Sequence, residues 1–412
     1  MADPLDLDDP LELEDALDLV VAKAPILGTE SVPLSSSLGR VLATDCRSDV
    51  DAPPFDRCMM DGYAFRAEDV ADAPTSLRLV GTVFAGHEHL EDVPPGSAVK
   101  VMTGAPLPPG CDTVQALERT REDGTRVVIH DRVKTGLHVA PKAEEIAIGE
   151  VALARGSLIG PAEVGVLALC GCSEVEVHAR PLAAVISTGD ELVEVGEKPG
   201  PAQLRNSNGP MLAVLARQLG CDPVQLLPSV SDDPDSLRAA LERGLEADVL
   251  LVSGGVSKGQ ADLVGETFTE LGVEPVFHGV KVQPGKPLWF GRSETSLVFG
   301  LPGNPVSALT TARIFAGTAI RRMRGLNQPR PRWMAATLID SFRRNPRRRG
   351  LLPAEIRRRG GGLDCRPLGL KGSADLIRTA GANGTWVAPI GQDEFRPGEE
   401  VDVLLHEDFA DR

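Results

Sequence analysis

Three short apolar runs between residues 182 and 301 end in loops whose residues could do chemistry. Leu182 to Ile186 runs into Ser187-Thr188-Gly189-Asp190-Glu191, and Val249 to Val252 runs into Ser253-Gly254-Gly255-Val256-Ser257. Val298 to Leu301 runs into Pro302-Gly303-Asn304-Pro305, and Gln283-Pro284-Gly285-Lys286-Pro287 lies between the last two. Glycines such as Gly254 and Gly255 let backbone N–H groups approach an oxyanion closely. Lys286, on a turn stiffened by Pro284, Gly285 and Pro287, is a point charge suited to phosphate. Pro305 starts a helix at a strand end, where free N–H groups and the helix dipole favour an anion. The acids Asp190, Glu191, Asp232, Asp233 and Asp262 would repel one another on one sheet edge without a cation. Mg²⁺ held by one or two carboxylates plus a substrate phosphate answers that repulsion. Together these residues point to a phosphorylated ligand handled with a divalent metal. Each also has a plainer reading: a tight turn for the glycines, a surface lysine, and helix caps for Asn304 and for Asp233 before Pro234.

Apolar runs that alternate with helical patterns imply parallel strands with crossover helices, whose loops gather at one sheet edge. The helices that position the loops are read from Pro210 to Leu219 after Asn206-Ser207-Asn208-Gly209, from Asp233-Pro234 to Leu245, from beyond Gly259 to near Leu271, and from Pro305 to about Met323. This α/β unit spans residues 180–328. Residues 45–142 carry strand-like runs at Leu77 to Val83, Ala98 to Met102, Thr113 to Leu117 and Arg126 to Ile129, a β-rich module. It interrupts a helical or linker domain made of residues 1–44 and 143–179. Asp9 caps that domain's first helix, with Pro10 at its first position. Residues 329–412 read as a small β domain. By composition, Met60-Asp61-Gly62-Tyr63-Ala64 and Met102-Thr103-Gly104-Ala105-Pro106 are loops.

A net charge of −16 argues against a general nucleic-acid binder. Eight arginines within residues 343–359 lack interleaved aromatics for base stacking, so they read as a solvated face or one that meets acids. No apolar stretch approaches the roughly 20 residues of a membrane span. The acidic first residues do not resemble a secretion signal, and the seven scattered cysteines suit reduced thiols in a cytoplasmic protein. Cys170-Gly171-Cys172 has no second pair to complete a zinc site.

Taken together, the segments resemble the molybdopterin molybdenumtransferase family, which includes bacterial MoeA and the E domains of the plant enzyme and of gephyrin. The markers are Asp49-Val-Asp-Ala-Pro-Pro-Phe-Asp56, Met60-Asp-Gly-Tyr-Ala64, Met102-Thr-Gly-Ala-Pro106, Ser187-Thr-Gly-Asp-Glu-Leu192, Ser253-Gly-Gly-Val-Ser257, Pro284-Gly-Lys-Pro287 and Leu301-Pro-Gly-Asn-Pro305. The resemblance implies a homodimer that converts adenylated molybdopterin and molybdate, with Mg²⁺, to molybdenum cofactor and AMP. It implies catalytic roles for Asp61, Thr103, Glu191, Asp262 and Lys286. Glu191, Asp262 and Asp232 (or its neighbour Asp233) would hold the metal. Ser253, Gly254, Gly255, Ser257, Pro284, Gly285, Pro302, Gly303, Asn304 and Pro305 would line the pterin-phosphate and AMP site. In the family, the α/β domain of one subunit meets the β module of the other, and an adenylyltransferase is an implied partner.

The chain departs from the family pattern at several positions. Gln283 replaces a lysine, His138-Val139-Ala140 lacks an arginine at Ala140, Glu145 lengthens an acid, and Cys58-Met59 replaces a small pair. Lys281, two residues before Gln283 on an extended segment, would share its face and restore the charge. Other functions compatible with these residues are a molybdopterin adenylyltransferase and a non-catalytic scaffold.

Overall fold

The computed structural model describes residues 9–255 and 263–406. The chain divides into two compact units. Met1–Glu30, Gly39–Ala43 and Val177–Arg412 form one; Ser31–Leu38 and Thr44–Glu176 form the other.

The first unit is built on a six-stranded sheet in the order Val224–Leu226, Ala183–Ser187, Val249–Ser253, Leu297–Leu301, Trp289–Arg292, Glu274–His278. The first four strands are parallel. The last two are antiparallel to their neighbours, so the sheet is mixed rather than wholly parallel. The physical reason is connection length: the short turn around Ser293 and Ser296 can only make a hairpin, because a parallel crossover needs a dozen or more residues. Ala183, Val185, Val249, Leu251, Leu297, Phe299 and Leu301 face one core, which the Asn208–Gln218 helix and the helix starting at Pro305 cover. Ala184, Ile186, Leu250, Val252 and Val298 face the other, against Leu237 and Leu241 of Pro234–Gly244 and Val264 and Phe268 of Leu263–Glu270. Burial on both faces is why these strands read as unbroken apolar runs. The sheet is therefore doubly wound.

The first described helix, Leu13–Lys23, buries Leu13, Ala16, Leu17 and Val20 in the first of those cores. It starts beyond the expected Asp9-Pro10 cap, with Glu12 at the cap position. Leu11 cannot join it, because its N–H donates to Gly279 O (3.1 Å) and its carbonyl accepts from Lys281 N (2.8 Å). The helix from Pro305 runs through a π turn at Ala312–Ala316 into Gly317–Met323. The C-terminal strands Arg349–Arg359, Gly362–Pro367, Met334–Leu338, Glu400–Leu405 and Gly384–Ala388 pair in that order, and the last pairs back to the first. They close a small barrel around Trp386 and Phe395. Val282–Gln283 adds to it beside Arg349 and Gly350, which fixes the Pro284 turn against the barrel.

The second unit holds a six-stranded sheet in the order Thr113–Ala116, Gly62–Phe65, Ser97–Val101, Thr75–Val83, Arg126–Ile129, Thr120–Asp123. The four runs read as strands are all strands here. The Asp61 segment, read as a loop, is half strand: Gly62–Phe65 is buried in mid-sheet. Glycine is what allows it, since a Cβ on Gly62 would lie 2.1 Å from Gln115 O. No helix among the described residues is long and apolar enough to cross a membrane.

Candidate active site

The loops after the parallel strands surround a cleft of about 660 Å³. Glu191, Asp232, Ser253, Gly254, Gly255, Pro302, Gly303, Asn304 and Pro305 all line it, whereas Pro284, Gly285 and Lys286, grouped with them from the sequence, line a neighbouring cleft. Ser257 and Asp262 lie outside the described residues. The glycines serve close packing as well as any ligand. Gly254 has φ +102°, and a Cβ there would stand 2.4 Å from Thr188 O. Not every N–H in these loops is open to an anion. Gly254 N–H donates to Leu301 O (3.1 Å), and Val306 N–H, in the first turn of the Pro305 helix, donates to Ser373 O (3.1 Å). Asn304 occupies the N-cap position without a side-chain capping bond, so the cap reading of Asn304 does not hold.

Residues given no site role of their own from the sequence also line the cleft, among them Thr188, Arg205, Asn206, Ser207 and Asn208. Asn208 is buried, and its Nδ2 donates to Ser253 Oγ (2.7 Å) and to Gly303 O (2.7 Å), tying two loops together. Its Oδ1 and the Thr188 hydroxyl are buried without partners. The signal was the Asn206-Ser207-Asn208 run, three polar residues where only a helix start was read; the helix in fact begins at Asn208.

The two neighbouring aspartates have different jobs. Asp233 caps the Pro234–Gly244 helix, its carboxylate accepting from Ser236 N (3.0 Å), which holds its pKa below the usual range. Asp232 lines the cleft, and its carboxyl is pushed up by partial desolvation and by the nearby Asp190 and Glu191 charges. No group of three or more His, Cys, Asp or Glu among the described residues is arranged as a metal cage. Glu191 and Asp232, both lining the cleft and close enough for one charge to act on the other, nonetheless fit a hard cation, which needs only one or two carboxylates when a phosphate supplies the rest.

A second cleft, of about 490 Å³, adjoins the first and shares Pro287, Pro302 and Asn304 with it. Lys286 belongs here, with Gln283, Arg343, Arg344 and Arg348 from the barrel. Gly285 holds the lysine turn tight against the Pro305 helix: its φ is +108°, and a Cβ would meet Thr311 Cγ2 at 2.3 Å. Arg344 is spent on Ala388 O (2.9 Å) and Pro389 O (3.3 Å), and Arg343 pairs with Glu394. Other arginines of the run meet acids too, Arg349 with Glu14 and Arg359 with Asp364. Lys286 and Arg348 have no ion pair among the described residues. Lys281 lines neither cleft; its ammonium sits 3.4 Å from Glu12 Oε1. It therefore does not restore the charge missing at Gln283, because the N-terminal segment that pairs with residue 280 brings an acid to it.

In the second unit, Asp61 and Thr103 are brought together. Thr103 N–H and its hydroxyl both donate to Asp61 Oδ1, at 2.7 Å each, and lower the Asp61 pKa. Ala140 is paired in register with Arg57, so an arginine stands one strand away from the position where it is missing. Arg57 binds Glu145 at 3.0 Å, so the lengthened acid and this arginine are partners.

Comparison with known proteins finds matches along most of the chain. Residues 11–171 match the MoeA N-terminal region (domain I and II), residues 184–322 a probable molybdopterin binding domain, and residues 335–406 the MoeA C-terminal region (domain IV). A molybdopterin molybdenumtransferase from Nostoc sp. is 35% identical over 386 residues, covering 91% of this chain and 88% of the relative. One from Staphylococcus aureus is 33% identical, covering 92% of each. Two crystal structures of the molybdopterin biosynthesis protein MoeA from Pyrococcus horikoshii superpose with TM-scores of 0.83 and 0.79. Their identities are 30% and 34%, and they cover 97% and 96% of this chain and 100% and 99% of those chains. A multidomain α/β protein with a strand-end cleft is thus placed by sequence and by shape alike. The chain belongs to the molybdopterin molybdenumtransferase family.

Proposed function

We propose that this protein inserts molybdate into adenylated molybdopterin and releases AMP in molybdenum cofactor biosynthesis. The observation that carries the reading is the pair of adjoining clefts of different character: one where Glu191 and Asp232 outnumber Arg205, the other lined by Lys286 and Arg348. The acidic cleft suits the phosphate end of the pterin substrate together with Mg²⁺. The basic cleft suits an oxyanion, and molybdate is one. When bound, Mg²⁺ would neutralise phosphate oxygens and stabilise the AMP leaving group. Glu191 and Asp232 would hold that cation. Asn208 fixes the Ser253 and Gly303 loops against the substrate, and Lys286 and Arg348 raise the local concentration of the anion. Asp61, anchored by Thr103, and Asp262 complete the proposed catalytic set. The proposal includes a homodimer, which sedimentation analysis tests, and an adenylyltransferase that supplies the substrate.

The deciding experiment follows AMP release and cofactor formation from adenylated molybdopterin at varied molybdate and Mg²⁺. Turnover that needs all three supports the reading. Tight pterin binding with no AMP release at saturating molybdate would overturn it in favour of a scaffold.

A further inference from the structure

Cys170-Gly171-Cys172 follows the Pro161–Leu169 helix and lines neither cleft. Cys46 reaches it from the Cys46–Arg47 strand, which is held by antiparallel pairing with Val151–Leu153. Cys46 Sγ and Cys172 Sγ stand 3.6 Å apart, although 126 positions separate them in the chain. Both carriers are fixed. Cys172 N–H donates to Leu167 O (2.9 Å) and Gly171 N–H to Ala168 O (3.1 Å), and beside Cys46, Ser48 N–H donates to Glu150 O (3.1 Å). Gly171 makes the approach possible: its φ is +79°, and a Cβ there would lie 2.6 Å from Asp49 Oδ2. Contact between the sulfurs leaves about 1.5 Å to the disulfide bond length, a distance that side-chain rotation can cover. Access is asymmetric, since Cys46 and Cys170 are buried while Cys172 is only half-buried.

We propose that Cys46 and Cys172 are a redox modification site, a dithiol that a peroxide closes to a disulfide. Cys172, the accessible thiol, attacks the O–O bond of hydrogen peroxide, becoming a sulfenic acid and releasing one water. The Cys46 sulfur then attacks the sulfenic sulfur, the S–O bond breaks, and the departing hydroxide takes the Cys46 proton as a second water. Two thiols give up two electrons and two protons, and one peroxide is reduced to two waters. The order suits the thiols: burial, then the neighbouring Cys172 and Cys170, push Cys46 up to about 12, so it is not the first to react. The disulfide would close a loop that contains the whole six-stranded sheet of this unit, including Asp61 and Thr103. Closing so long a loop restricts the unfolded chain and raises thermal stability.

The test treats the intact protein with hydrogen peroxide and compares it with the reduced protein. The expected results are a mass loss of two hydrogens, a cross-linked peptide that joins Cys46 to Cys172, and a Tm higher by about 5 °C or more. Dithiothreitol should reverse all three, and Cys46→Ala or Cys172→Ser should abolish them. If Cys46→Ala does not fold, the half-buried Cys172→Ser decides alone. A cross-link between Cys170 and Cys172 overturns the proposal. So does over-oxidation of Cys172 with Cys46 still open to alkylation after unfolding, or an unchanged mass.

Discussion

Asn208 holds Ser253 and Gly303 with the two hydrogens of one amide, at 2.7 Å each, across 45 and 95 positions of sequence. It ties the end of the Val249–Ser253 strand to the loop after Leu297–Leu301. Its Oδ1 remains buried and unpartnered at the cleft, which leaves an acceptor for a ligand's N–H or O–H. A buried hydrogen bond contributes about 0.5–1.5 kcal/mol net, so losing two costs roughly 1–3 kcal/mol. Asn208→Ala should lower Tm and weaken adenylated-molybdopterin binding by about tenfold. Asn208→Asp keeps an acceptor but adds a negative charge beside the phosphate, and should bind more weakly still. Calorimetry with both variants decides; wild-type affinity in Asn208→Ala would remove this residue from substrate positioning.

Lys286 and Arg348 face the basic cleft without an ion pair among the described residues, and both are exposed. Each should be replaceable by alanine with Tm nearly unchanged. A charge-assisted hydrogen bond to an oxyanion is worth about 1.5–3 kcal/mol, so either variant should raise the molybdate concentration needed for turnover about tenfold or more. Added salt should shrink the difference if screened attraction carries it. Lys281→Ala is the control, expected to leave the molybdate dependence unchanged because its charge is engaged with Glu12. An effect at Lys281 equal to that at Lys286 would mean the basic cleft is wrongly drawn.

What the sequence disclosed and what it hid divide along physical lines. The parallel strands were legible because burial on both faces leaves an unbroken apolar signature, as at Val249–Ser253. The cap made by Asp233 was legible because a following proline marks it, but which of Asp232 and Asp233 serves the cleft stayed open until the fold put Asp232 in its lining. The Gly62–Phe65 strand was hidden, because glycine usually marks a turn and here it marks tight contact with the Gln115 backbone. The role of Asn208 was hidden because its partners arrive only through the fold. Lys281 misled for the same reason: its acid partner, Glu12, lies in a segment whose pairing with residues 279–281 leaves no local mark. Short-range rules read elements, and long-range pairing decides which side chains remain free.

Asp232 carries a carboxyl raised by partial desolvation and by Asp190 and Glu191, and the sign of that shift yields a test. A carboxyl that holds its proton more tightly when folded supports the fold at low pH and loses that support as pH rises through its folded pKa. The ionised side chain is therefore unfavourable at neutral pH in metal-free protein. Asp232→Asn should raise Tm slightly at pH 7, and the gain should vanish below the ordinary carboxylate range, where wild type is also neutral. Mg²⁺ should stabilise wild type more than the variant, because a ligand that binds only the folded state raises its stability. Thermal scans at both pH values, with and without Mg²⁺, check this. A variant less stable than wild type in metal-free buffer at pH 7 would contradict the repulsion.

Asp61 shows the opposite sign. Thr103 donates to it twice, from the backbone and from the hydroxyl, and its pKa is lowered, so its contribution to stability holds above the unfolded pKa and fades as pH falls through the folded one. Thr103→Val removes the hydroxyl donor and leaves the backbone one, so the Asp61 pKa should rise only part of the way to its ordinary value. Carboxyl-carbon NMR titration of the two proteins measures that directly. If Asp61 acts in turnover as an ionised group, Thr103→Val should also move the acid limb of the pH–rate profile upward, while activity on the alkaline side changes little. Asp61→Asn should abolish that limb and most of the activity at every pH. A titration that shifts in Thr103→Val while the pH–rate profile stays fixed would make the pair a structural turn, and Asp61 would leave the proposed catalytic set.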